Sequence, residues 1–272
     1  MNKLSIVIGL CLLSYSAHTA QAHEFWVSPA DYTVTVGDTI TADLRVGSDM
    51  KGVPQPYLTD NIARFDLVTG DTVVTVTGRL GDQPAMAVTA VTEGLAIAVH
   101  VTTNTTLTYQ DYNVFNRFVG HKNLDGVLAQ HEARGLPRSK FQESYSRNAK
   151  ALIAVGNGKG ADQAFGLKIE IVALTNPYTD DLSGGMNLQV LLNGAPRADA
   201  QLELFATAPD GTVKRVAYRT DAQGMVNITV EPGIEYLADN VAMTALPNDD
   251  PTSGPVWHSD WASLTFQVPP AP

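Results

Sequence analysis

Cysteine is almost missing from this 272-residue chain: the single one, Cys11, lies inside an early apolar run at residues 4–15. Downstream of that run there is therefore no disulfide, no thiolate metal site and no cysteine nucleophile. Leu10 precedes the cysteine and further apolar residues follow it, which argues against a lipid attachment site. Basic residues are also scarce, with 18 Lys and Arg against 28 Asp and Glu and a formal charge of −10. That balance excludes the usual electrostatics of nucleic-acid binding and of docking on anionic lipid. No later apolar stretch is long enough to span a bilayer, so no membrane-embedded part is expected after export. The hydrolase signatures G-x-S-x-G and H-E-x-x-H are absent, as is a phosphate loop. A non-enzymatic role is the expectation.

The chain begins with the pattern of a secretory signal. Lys3 supplies the positive start, residues 4–15 the apolar core, and Ala20-Gln21-Ala22 a small-x-small cleavage site. Cleavage after Ala22 leaves His23 first, in the run His23-Glu24-Phe25-Trp26-Val27. An N-terminal histidine offers its α-amine and its imidazole Nδ1 to one ion. With reference pKa values of about 8 and about 6.5, both lose their protons to a metal near neutral pH. An accidental histidine after the cut is the plainer alternative. An exported, disulfide-free chain fits a bacterial periplasm.

Beyond His23 the pattern is all-β. Residues 32–36, 39–46, 64–68 and 72–80 read as strands, and 95–109 as a long strand with an extension. Residues 110–138 break this texture: Leu124, Val127, Leu128 and His131 fall at helical spacing, with a stop at Gly135 and Pro137. Residues 141–156 are ambiguous and lean toward strand. Gly156-Asn157-Gly158-Lys159-Gly160 reads as a linker between two domains. Beyond it, strands at 167–174, 187–192, 201–206, 213–220, 225–230, 235–244 and 261–268 alternate with turn signals, the mark of a sandwich. The expected architecture is two β-sandwich-like domains, 23–160 with a helical insertion near 110–138, and 166–269, Ig-like or prealbumin-like.

Several segments together resemble an uncharacterised-domain family of exported proteins that includes NikK-like accessory proteins of nickel and cobalt uptake. They are His23-Glu24-Phe25-Trp26, Glu143-Ser144-Tyr145-Ser146-Arg147 with Lys150-Ala151-Leu152, and the segment 166–172. Asn176-Pro177-Tyr178, Thr220-Asp221-Ala222-Gln223-Gly224 and the segment 257–266 from Trp257-His258 complete the set, in family order. The resemblance implies a metal-binding role beside a membrane metal permease.

The candidate ligands are weighed around His23. His258, between Trp257 and Trp261, is the first choice as its partner; an ordinary rim histidine is the alternative. His100 sits in an alternating strand and His131 on the apolar face of the helical stretch, where packing histidines are common. His121, in a polar turn, ranks lowest. Glu24 and Asp260 are the carboxylate helpers, in contact with the ion or fixing a histidine tautomer. Nitrogen donors of this kind suit Ni(II) or Cu(II), and Cu(II) binds them tightest; the resemblance implies Ni(II) or Co(II). The expected function is periplasmic capture of such an ion for uptake. A non-catalytic Ig-like interaction or carbohydrate-binding module is the rival, and a histidine-brace copper oxidase the third reading.

Overall fold

A computed structural model describes residues 23–271; the expected export signal, residues 1–22, lies outside them. The first half contains β1 (Glu24–Pro29), β2 (Thr33–Val34), β3 (Thr39–Ser48), β4 (Lys51–Gln55), β5 (Ile62–Thr69), β6 (Thr72–Thr75), β7 (Met86–Thr89), β8 (Gly94–Thr102) and β9 (Thr105–Tyr109). Helices α1 (Tyr112–His121) and α2 (Val127–Ala133) follow, then β10 (Phe141–Val155). The second half supplies β11 (Ile169–Ala173), β12 (Met186–Leu192), β13 (Ala195–Pro196), β14 (Gln201–Thr207), β15 (Val213–Arg219), β16 (Met225–Ile228), β17 (Glu235–Ala245) and β18 (Trp257–Gln267).

The protein is all-β, with the two helices as the expected excursion. Asp111 caps α1 by accepting the Asn113 amide at 2.9 Å, and Phe115, Phe118 and Val119 bury its apolar face. Gly126 and Gly135, both at positive φ, open and close the turn around α2, a conformation that costs glycine least. The stretch 95–109 is two strands rather than one, because Thr103 and Asn104 turn the chain between β8 and β9.

Three sheets form the body. The largest runs β15-β14-β17-β18-β10-β8-β5-β6, with β2 and β9 also on β10. A small sheet of β1, β3, β4 and β7 and another of β11, β12, β13 and β16 flank it. Alternation along β8 and β10 shows how each face is used. Ala96, Ala98, Ala149, Ala151 and Ile153 pack with Phe25, Val27 and Ile40 under the first small sheet. Ile97, Val99 and Leu152 pack with Ile169, Leu188 and Val190 under the second. The second half alone is a two-sheet Ig-like sandwich, in which β11-β12 with β16 faces β15-β14-β17-β18.

The two halves are not separated as the glycine run suggests. Their last strands, β10 and β18, pair in parallel from Glu143↔Trp257 to Ala151↔Thr265, so the large sheet continues through both. The glycine run is pinned rather than loose. Asn176 Nδ2 donates to the carbonyls of Gly158 and Gly160, each at 2.9 Å, and Leu95 N to that of Lys159 at 2.8 Å. A side chain at Gly158 would stand 2.9 Å from Ala154 Cβ.

Strand β1 completes the junction. Phe25 and Val27 enter the core of the first half, while Trp26 packs on Phe205 and Leu237 of the second. Thr265 Oγ1 donates to Val27 O at 2.6 Å. Consecutive residues of a strand face opposite ways, and both ways are core here. Because one sheet spans both halves, Trp26→Ala, and Leu204→Ala in the second half, are each expected to lower one common melting transition. Their cost is about 2–5 kcal/mol each. Two calorimetric transitions, of which each variant shifts only one, would contradict a continuous sheet.

Candidate functional site

The expected ligands fall into four separate places. Residues of even number on β10 face the second small sheet, and those of odd number face β1 and the helices. His258 lies opposite Ser144 and Asp260 opposite Ser146 in the parallel register. Ser144 Oγ is 2.7 Å from His258 Nδ1, and His258 Nε2 is 3.1 Å from Asp260 Oδ1, which also accepts from Ser146 Oγ at 2.9 Å. Both ring nitrogens of His258 are therefore engaged. The group borders a cleft of about 450 Å³ together with Arg64, Asn148 and Lys168. Asp260 does hold the ring, as a tautomer-fixing carboxylate would. The tryptophans that flank His258 in sequence do not share its face. Trp257 and Trp261 point to the other face, where they pack with Phe115 and Phe118 under the helices.

His131 is a packing residue. Its Nε2 meets Pro137 O at 3.1 Å, its Nδ1 accepts from Trp257 Nε1 at 3.1 Å, and its ring lies among Phe115, Phe141 and Tyr112. No lone pair is left for a metal. His121 contacts Glu203 and Arg215.

Glu24 serves a cation, but an internal one. The ammonium of Lys122, carried in at the end of α1, sits 2.8 Å from Glu24 Oε1, 2.5 Å from Glu203 Oε2 and 2.9 Å from Asp239 Oδ2. All four side chains are buried, and the Trp261 ring lies 5.2 Å from the Nζ. Three carboxylate oxygens within 4.8 Å of one another would suit a metal ion, and the ammonium takes that position. Burial alone would lower the Lys122 pKa; Asp239, Glu24 and Glu203 outweigh it and hold it up. Sequence reasoning missed this cluster, although Glu203 and Asp239 stand out as charges in the middle of apolar strands. Lys150 repeats the device on the other face, 2.8 Å from Asp162 and 3.4 Å from Glu170. Lys150 and Arg147, both on β10, thus face opposite ways.

His100 is different. It is 1% exposed, and neither ring nitrogen has a hydrogen-bond partner. Burial pushes its pKa down to about 3, so the imidazole stays neutral. Its ring lies 5.1 Å from that of Phe25 and 4.8 Å, edge-on, from that of Phe65. It borders a cavity of about 200 Å³ with Phe25, Val46, Ile62, Tyr145 and Arg147. The Arg147 guanidinium lies over the Tyr145 ring at 4.8 Å and the Phe25 ring at 5.7 Å, and donates to the carbonyl of His23 at 3.4 Å. The N-terminal segment thus meets the His100 pocket. His258 lies on the far face of the sheet from Arg147, against Ser144 and Asp260.

A protein family described as a domain of unknown function, DUF4198, matches residues 20–241. The chain belongs to that family. A comparison with curated proteins finds no match. Among solved structures, a tetra-tandem repeat from the extending region of a large adhesion protein is similar at 13% identity and TM-score 0.21. It covers 92% of this DUF4198 chain, which spans 50% of it. A two-domain fibronectin type III segment of chicken tenascin is similar at 11% identity and TM-score 0.21, covering 78% of this chain and 86% of its own. Scores this low transfer no site and no function. Among the described residues of this DUF4198 chain, no helix is long and apolar enough to cross a membrane.

Two outcomes test the electrostatics. Lys122→Met leaves three buried carboxylates without their cation and is expected to destabilise the protein by about 3–5 kcal/mol; an unchanged melting temperature would refute the role of the ammonium. Glu143, buried and bonded by Tyr109 and Ser259, is pushed by burial from 4.5 up to about 7. The folded state then binds its proton more tightly than the unfolded one. Its contribution is full below pH 4.5 and is lost as pH rises through about 7. Glu143→Gln should therefore flatten the fall in melting temperature between pH 5 and 8. An identical pH slope in the variant would contradict the shift.

Proposed function

We propose that this DUF4198 protein is an exported binder of a transition-metal ion, Ni(II) or Co(II) and alternatively Cu(II), in support of uptake. The observation that supports it best is His100: a buried, neutral imidazole with two unpartnered nitrogens, in a pocket whose wall also holds the N-terminal segment. Burying such a group without a partner is unfavourable, and an ion that takes one lone pair supplies the missing interaction. A ring kept unprotonated needs no proton loss before it binds metal. His23, first in the processed chain and bonded through its carbonyl to Arg147 of that pocket, would add its amine and imidazole. His100 therefore replaces His258 as the second histidine of the site. The resemblance to nickel and cobalt accessory proteins points the same way, with a membrane permease as the recipient of the ion.

The test is calorimetric titration of protein that begins at His23 with Ni(II), Co(II) and Cu(II). Micromolar or tighter binding is expected, weakened at least tenfold in His23→Ala and in His100→Phe, which keeps an aromatic ring against Phe25 and Phe65. His258→Ala should bind within twofold of the parent. Binding lost in His258→Ala and kept in His100→Phe would overturn the assignment.

A further inference from the structure

The charge of the His100 pocket narrows what it takes. Arg147 is the cation at its wall, and its Nε is buried with no hydrogen-bond partner. No carboxylate pairs with Arg147 among the described residues, whereas Lys122 and Lys150 are each held by acids at 2.5–3.4 Å. Burial lowers the Arg147 pKa, the mark of a desolvated guanidinium. Glu143, Asp239 and Glu24 act on this part-buried guanidinium only from beyond ion-pair distance and do not offset its desolvation, so a closer anion would stabilise it. A guanidinium also matches a carboxylate fork better than any other common anion except phosphate.

A bare divalent ion fits this wall poorly, because the guanidinium repels it in a low-dielectric setting. Neutral His100, by contrast, is a donor with nothing to bind except a metal or a proton donor. The two requirements are met together by one ligand, a metal ion already wrapped by a carboxylate chelator. Apolar walls at Val46, Ile62 and Leu58 accept the methylene skeleton of such a molecule. The cavity, about 200 Å³, is smaller than the ~300–1,000 Å³ of drug-sized sites and suits a compact di- or tricarboxylate.

We propose that the pocket takes the metal as an anionic complex with a small carboxylate chelator, Arg147 holding a carboxylate and His100 occupying an open position on the metal. This inference rests on the metal-binding reading above. No covalent bond is made or broken; water leaves the metal as the imidazole nitrogen enters, and no proton moves on His100.

The probes are aqueous Ni(II), the 1:1 Ni(II)–citrate anion and citrate alone, each titrated into protein starting at His23. The chelate is expected to bind at least tenfold more tightly than either aqueous Ni(II) or citrate. Arg147→Gln should remove that advantage without weakening the binding of aqueous Ni(II), and His100→Phe should abolish chelate binding. The comparison in the parent protein needs no variant, so misfolding of either substitution does not blunt it. Equal affinity for aqueous ion and chelate, with no effect of Arg147→Gln, would overturn the chelate and leave the metal reading standing. Citrate alone binding as tightly as the chelate would overturn it in favour of a plain anion site. Absence of binding by both nickel forms would sink the metal reading itself.

Discussion

Everything in this molecule is placed by the parallel pairing of β10 with β18. The two strands are adjacent nowhere in sequence, yet nine successive residue pairs join them and make one sheet of two halves. Each strand is covered on both faces, so each successive side chain enters a different environment. On one face the pairing sets Ser144 beside His258 and Ser146 beside Asp260, and a hydrogen-bonded chain results. On the other it sets Glu143 among Tyr109 and Ser259 under the helices, and carries Arg147 to Phe25 and the N-terminal segment. A one-residue slip of this register would exchange the two faces.

Buried charge is the second organising force, and its three instances differ in kind. Lys122 draws carboxylates from β1, β14 and β17 onto one ammonium and so ties α1 to both halves of the body. Lys150 does the same for the segment that leaves the glycine run, through Asp162 and Glu170, whose oxygens also accept the amides of Gln163, Phe165, Leu167 and Ala173. Both are closed systems in which the counter-charge is already present. Arg147 has aromatic faces and one carbonyl but no close ion pair, with Glu143, Asp239 and Glu24 acting on it from farther off. The contrast separates two groups whose counter-charge is in contact from one whose counter-charge is not.

Much of the fold was legible in the residues because it rests on local rules. The strands of the second half follow their turn signals closely, as with residues 235–244 against the observed Glu235–Ala245. The helical excursion shows in the spacing of Val127 and His131 and in the stop at Gly135. Illegible were the features that depend on distant partners. Trp257-His258-Ser259-Asp260 looks like a loop before a strand, and it is strand because β10 and β17 flank it and satisfy its polar groups. The glycine run looks loose, and it is pinned by Asn176, whose carbonyl partners no spacing rule reveals. For the site, His23, Glu24, Asp260 and the histidines were visible as candidates. Which of them meet was not. Glu24 goes to an ammonium and His131 to Trp257, while the buried His100 keeps both ring nitrogens unpartnered.

The central claim, that the pocket beside His100 is where this protein binds its ion, is tested most directly by anomalous scattering. Crystals of protein beginning at His23, grown with Ni(II) and citrate, would be measured above and below the nickel absorption edge. The account predicts one anomalous peak within bonding distance of a His100 ring nitrogen, with carboxylate density against Arg147. A peak at His258 and Asp260 instead, or no ordered nickel at all, would contradict it.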